Sequence, residues 1–172
     1  AEAEAARDAF LNAVARVPDS RYLFNNTCQD ILAVAAAMLD GELEYRRGEY
    51  DTAFEHLRRA IALDDALPYD EPWGWMQPTR HAYGALLLEQ DRVEEAETVY
   101  AADLGYDPSI PRSSWHPGNV WSLHGYHESL VRLGKGEPAR IVKQQLDVAL
   151  ARADVPIKSS CFCRMTHHAA VA

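Results

Sequence analysis

Long apolar runs are missing from this sequence. No stretch approaches the roughly 20 consecutive apolar residues that a membrane-spanning helix needs, so a soluble protein with no membrane partner is expected. A basic excess is missing too: the formal net charge is −9 and the isoelectric point about 5.2. Such a field repels phosphate backbones, which excludes nucleic acid as the expected partner. The densest basic cluster, Arg46-Arg47 with Arg58-Arg59, is interleaved with Glu42, Glu44, Glu49 and Glu55 and reads as a solvated helix face. Cysteine is scarce, three in all and in no framework spacing, which argues against a disulfide-stapled secreted fold. No signal peptide opens the chain, where Ala1 to Ala6 already favour helix, and the cytoplasm is the expected compartment. Phosphate-binding glycine loops, H-E-x-x-H and G-x-S-x-G are all lacking, so the residues name no reaction.

What is present is a repeat. With 172 residues, 48% of them hydrophobic and 25% charged, the chain suits one folded domain. A small residue followed four positions later by a large one, and three further on by a small one or its substitute, recurs as Ala6, Phe10, Ala13, as Ala53, Leu57, Ala60, and as Ala96, Tyr100, Asp103. A weaker copy reads Ala139, Lys143, Leu146. Spacings of three and four lay each set on one helical stripe. Gly48, Asp91 and Gly134 each stand five before the last three phrases, where a left-handed residue ends the preceding helix. Pro138 suits the first turn of the last helix. Gly41 and Gly84 stand seven before their turns, where close helix approach wants no side chain; His127 takes that place in the third hairpin, with Gly125 two earlier.

Through Gly41, Gly48, Tyr50, Ala53, Leu57 and Ala60 in one unit, and Gly84, Ala96, Tyr100 and Pro108 in the next, the chain resembles the tetratricopeptide repeat family. The resemblance implies an all-α superhelix of stacked antiparallel helix hairpins. The expected organisation is one domain: residues 1–18 as the second helix of a truncated repeat, hairpins at 28–64, 76–106 and 119–153, and an irregular tail at 154–172. A leading helix without its partner points to the C-terminal part of a longer chain. Two features depart from the family. Ala37, Arg80 and Leu123 stand where its large aromatic is usual. The small-residue positions 6, 53, 96 and 139 are spaced by 47, 43 and 43, against the family's period of about 34.

The surplus falls at equivalent junctions, near residues 21–33, 68–76 and 111–119, and equivalent junctions of a stack line one edge. All four tryptophans, Trp73, Trp75, Trp115 and Trp121, lie in or beside these insertions, where they either plug gaps between hairpins or form an aromatic wall for a ligand. Asn119 and Thr27, in the run Thr27-Cys28-Gln29-Asp30, are candidate helix caps.

The family's inner surface comes from its first helices. Carried over, the resemblance gives Met38, Glu42 and Tyr45, then His81, Ala85 and Leu88, then His124, Glu128 and Val131. His81 and His124 are thereby equivalent, and Ala85 leaves room beside the first. The row lacks the lysine and asparagine pattern of carboxylate-clamp members. The expected function is a helical-repeat binding module that presents a Trp- and His-rich edge and concave pocket to a protein, peptide or small-molecule ligand. Its candidate binding residues are Trp73, Trp75, His81, Trp115, His116, Trp121 and His124. The alternative is a copper- or zinc-dependent enzyme or metal-binding protein. In an extended Cys161-Phe162-Cys163 both sulfurs point the same way and reach one soft ion, with His81, His116 or His124 completing the set.

Overall fold

The computed structural model describes residues 2–164 and is all-α apart from one small hairpin. The helices are α1 (Glu2–Val14), α2 (Cys28–Arg47), α3 (Tyr50–Asp65), α4 (Thr79–Glu89), α5 (Val93–Asp103), α6 (Val120–Arg132) and α7 (Gly136–Leu150). Two strands, β1 (Tyr22–Leu23) and β2 (Asn26–Thr27), pair antiparallel inside the first insertion. The chain divides between Thr79 and Arg80 into two compact units. None of the described helices is long and apolar enough to cross a membrane.

Three helix–turn–helix pairs repeat one backbone solution. At the first turn Gly48 takes φ 86°, its N–H donates to Tyr45 O, and Glu49 N–H donates to Glu44 O. Asp91 at φ 60° and Gly134 at φ 69° do the same: Arg92 donates to Leu87 O and Lys135 to Leu130 O. Each is a paired closure of the last helical turn that satisfies two otherwise orphaned carbonyls. The pairs Glu44/Glu49, Leu87/Arg92 and Leu130/Lys135 recur at intervals of 43 residues, so the long period belongs to the backbone as well as to the side chains.

In the first unit α2 and α3 form a hairpin whose seam is Ala53, Leu57 and Ala60, all at 0% exposure. A methyl group on Gly41 would come within 2.7 Å of Leu57, so that glycine sets the distance of closest approach. Helix α2 starts as its cap predicts, with Thr27 Oγ1 accepting from Asp30 N–H at 3.0 Å. Helix α1 contacts α2 through the Arg7–Asp40 ion pair, and Gln29 of α2 donates to Val17 O in the segment that follows α1. None of its residues is fully buried, and Ala6 is exposed. The first two insertions meet: Asp70 Oδ2 accepts from Asn25 N–H and Asn26 Nδ2, and Gly74 presses on the Asn26 side chain.

In the second unit Leu104, Leu123, Leu130, Ala139, Val142 and Leu146 form one core cluster along α6 and α7, and Leu86, Leu87 and Leu88 of α4 are fully buried. Ala139 and Leu146 are buried on α7 as their spacing predicts. Lys143, placed with them by the repeat phrase, is instead exposed and pairs with Asp147; Val142 takes the buried position. A charged head stays in water when an apolar neighbour one residue away can fill the seam. The positions without the family's aromatic, Ala37, Arg80 and Leu123, are all buried.

The turn geometry generates a test. A side chain on Gly48 meets nothing within 4 Å, so Gly48→Ala should destabilise through backbone conformation alone, by about 1 kcal/mol. Gly136, also free of neighbours but outside the left-handed region, should accept alanine with no loss. Urea denaturation of both variants separates the two; equal effects would contradict this reading.

Candidate functional site

The second unit holds two polar clusters, and both begin from residues that break the apolar pattern of a helix. The first is Asp103, at 0% exposure on the buried stripe of α5, where the equivalent positions carry Ala13, Ala60 and Leu146. An ionised carboxylate only accepts, and four side chains donate to it. His81 Nε2 on α4 lies 3.1 Å from Oδ2, Asn119 Nδ2 2.9 Å and Ser122 Oγ 2.5 Å; His116 Nδ1 lies 2.8 Å from Oδ1. The backbone joins in, with His116 N–H donating to Asp103 O at 2.6 Å. Burial pushes the Asp103 carboxyl upward, but the hydrogen bonds and positive charge of His116 and His81 outweigh it and hold the group below the usual carboxylate range.

This hub pins the third insertion, residues 111–119, against α5 and starts α6. Asn119 bridges the two, donating to Asp103 while its Oδ1 caps Ser122 N–H at 2.8 Å. Trp115 closes over Gly105, where a β-carbon would come within 2.7 Å of the indole, and its Nε1 donates to Ile110 O. Ser122 is turned onto the carboxylate and not onto an imidazole, so the cluster lacks the nucleophile–base contact of a hydrolytic triad.

The second cluster is built by the tail. Ser159, Ser160, Cys161 and Arg164 are at most 5% exposed, although they lie in a segment without regular structure. Ser160 Oγ is hydrogen-bonded to the hydroxyl of Tyr100, a fully buried side chain of α5. Tyr100 fits there because Gly84 and Gly125 flank its ring; a β-carbon would come within 2.4 Å at Gly84 and 2.2 Å at Gly125. Burial raises the Tyr100 hydroxyl far above its ordinary range, so it stays a neutral donor. Four residues on, Arg164 forks onto Glu128 of α6 at 2.8 and 3.0 Å, a bidentate pair that Arg132 supports from 3.3 Å. Burial pushes Glu128 up, and the hydrogen bond and charge of Arg164 more than reverse it. Between the anchors, Phe162 lies edge-on to Trp121, with ring centres 5.1 Å apart. Cys161 and Cys163 are joined to each other as a disulfide.

The candidate residues are therefore divided. His81 and His116 come together on Asp103, with ring centres 6.3 Å apart. Trp115 packs on the backbone, and Trp121 meets the tail. His124, expected to work with His81, is the neighbour of Glu128 and Arg164; burial lowers its pKa, and its Nδ1 is buried without a hydrogen bond, as is Arg164 Nε. Trp73, 41% exposed, and Trp75, whose Nε1 is buried without a partner, belong to the first unit. Among the described residues no group of three or more His, Cys, Asp or Glu side chains is disposed to hold a metal ion. His167 and His168 lie outside the described residues. Asp103, Tyr100, Glu128 and Arg164 did not stand out as site residues in the sequence. Asp103 had a signal, as the charged member of a small-residue stripe.

No family model, curated protein or solved structure matches the chain.

The Asp103 hub sets an acid dependence. Its folded-state carboxyl is held below the unfolded value of about 4, so its stabilisation is present above that pH and fades as pH falls toward the folded-state value. Asp103→Asn turns one acceptor oxygen into a donor facing donors, and should cost about 3 kcal/mol or more near neutrality. The gap from the native chain should narrow at pH 3. Urea unfolding at the two pH values measures this, and a gap that does not change with pH would contradict it.

Proposed function

We propose that the chain is a helical-repeat binding module of tetratricopeptide type, lengthened between repeats, whose inner helices hold a short peptide segment in a turned conformation. One observation carries the reading: residues 159–164 of its own tail, folded into a turn at Phe162-Cys163, already lie against α4, α5 and α6 as a bound peptide would. The contacts have the division of labour of a peptide site. Ser160 is read by a buried hydroxyl, Arg164 by a buried carboxylate, and Phe162 leaves its ring against Trp121. Two of the recognising residues, Tyr100 and Glu128, cannot change partners without leaving a buried polar group unsatisfied, which gives the groove selectivity for a hydroxyl followed by a cation four residues on.

Glu128 stands in the inner row that the resemblance to tetratricopeptide repeats implies, and His124 stands one turn before it. The partner class is thus a peptide or protein segment with small, apolar and basic residues in sequence. Copper or zinc at Cys161 and Cys163 would first need the pair reduced and then a third donor, and no observation favours that alternative.

Binding in trans tests the proposal. A chain ending at Ile157, with its helicity verified by circular dichroism, should bind a labelled peptide of the sequence Ser-Ser-Cys-Phe-Cys-Arg with micromolar affinity in fluorescence anisotropy. Glu128→Ala should weaken binding at least tenfold, since a buried charge pair loses one partner. A folded truncated chain that ignores the peptide would overturn the proposal.

A further inference from the structure

We infer that Cys161 and Cys163 form a thiol–disulfide exchange site, in which Cys163 exchanges with an outside dithiol or disulfide and the buried Cys161 is the internal partner that leaves on reduction and closes the pair again on oxidation. The inference is independent of whether the groove binds foreign peptides; it needs only the tail where the structure has it.

The bond between these cysteines closes a loop of three residues. Loops that short remove little freedom from the unfolded chain, so the bond is a poor staple. The tail is in any case fixed on both sides of it, by Ser160 on Tyr100 and Arg164 on Glu128. What such a bond can do is open and close on a rigid mount.

The two sulfurs are not equivalent. Cys161 is buried at 5% exposure, whereas Cys163 is half-buried and follows Phe162, which is 73% exposed. An incoming thiolate therefore reaches Cys163, beside an apolar ring on which a partner can rest. The backbone N–H of Cys163 points at Cys161 Sγ from 3.1 Å, and a donor there stabilises charge that develops on that sulfur as it leaves. Cys163 Sγ lies 4.0 Å from Ala82 O, which gives its thiol an acceptor once the pair is reduced.

One thiolate of the incoming dithiol attacks Cys163 Sγ; a mixed disulfide forms, and the Cys161–Cys163 bond breaks with its electron pair on Cys161 Sγ. The second thiol of the dithiol loses its proton to solvent and attacks its own sulfur in the mixed disulfide. Cys163 leaves as thiolate, and both protein sulfurs take up protons from solvent. The dithiol ends as a disulfide, and the protein has gained two electrons and two protons.

Trapping separates the roles. In the full chain carrying Cys28→Ser, graded mixtures of reduced and oxidised dithiothreitol should interconvert two forms differing by two hydrogens in intact mass, reversibly and in one two-electron step. Cys161→Ser, left with the accessible sulfur, should form a mixed disulfide with a thiol-reactive aromatic disulfide at least tenfold faster than Cys163→Ser. Reduced pairs at every mixture, or equal trapping rates in two variants of native circular dichroism, would overturn the assignment. Tight binding of one copper or zinc ion to the reduced pair that blocks its reoxidation by oxidised dithiothreitol would overturn it in favour of a metal site.

Discussion

The second unit depends on one buried negative charge. Asp103 sits where the equivalent positions are apolar, Ala13, Ala60 and Leu146, and an unpaired carboxylate there would be intolerable in an apolar seam. It is tolerated because donors arrive from three directions: His81 from α4, His116 and Asn119 from the inserted segment, and Ser122 from the first turn of α6. The same bonds that neutralise the charge hold the 111–119 loop against α5. Hydrophobic burial could not have done so, because most of residues 111–119 is polar or proline. The insertion and the aspartate explain each other.

Beside that hub, a second constraint shapes the groove. Tyr100 is too large for a seam between two helices unless both offer glycine, and Gly84 and Gly125 do. The ring then reaches through with its hydroxyl, and the hydroxyl needs a partner, since burial keeps it protonated and away from water. Ser160 supplies it. The Tyr100 hydroxyl and the Glu128 carboxylate of α6 together hold the tail at Ser160 and Arg164.

Much of the frame was legible in the residues. The helix hairpins, their all-α class, the left-handed turns at Gly48, Asp91 and Gly134, and the caps at Thr27 and Asn119 follow from local rules about backbone and side-chain chemistry. The rest was set by distant contacts that periodicity does not encode. His81 and His124 share a place in the period, yet the first meets Asp103 of the next helix and the second meets Glu128 of its own helix and Arg164 of the tail. Lys143 shows the reverse limit, since a spacing rule placed a lysine where solvation would not. The tail was the least legible part. Ser159–Arg164 has no helical or strand signal, and its burial comes from partners on three other elements.

The claim on which this account rests is that Asp103 is ionised while buried, held so by its donors. A carbon-detected NMR titration of carboxyl groups measures that directly. The Asp103 side-chain carbon should keep its ionised shift to below about pH 3, under the ordinary aspartate value of about 4. An Asp103 resonance that titrates at that ordinary value, or above it, would contradict the account.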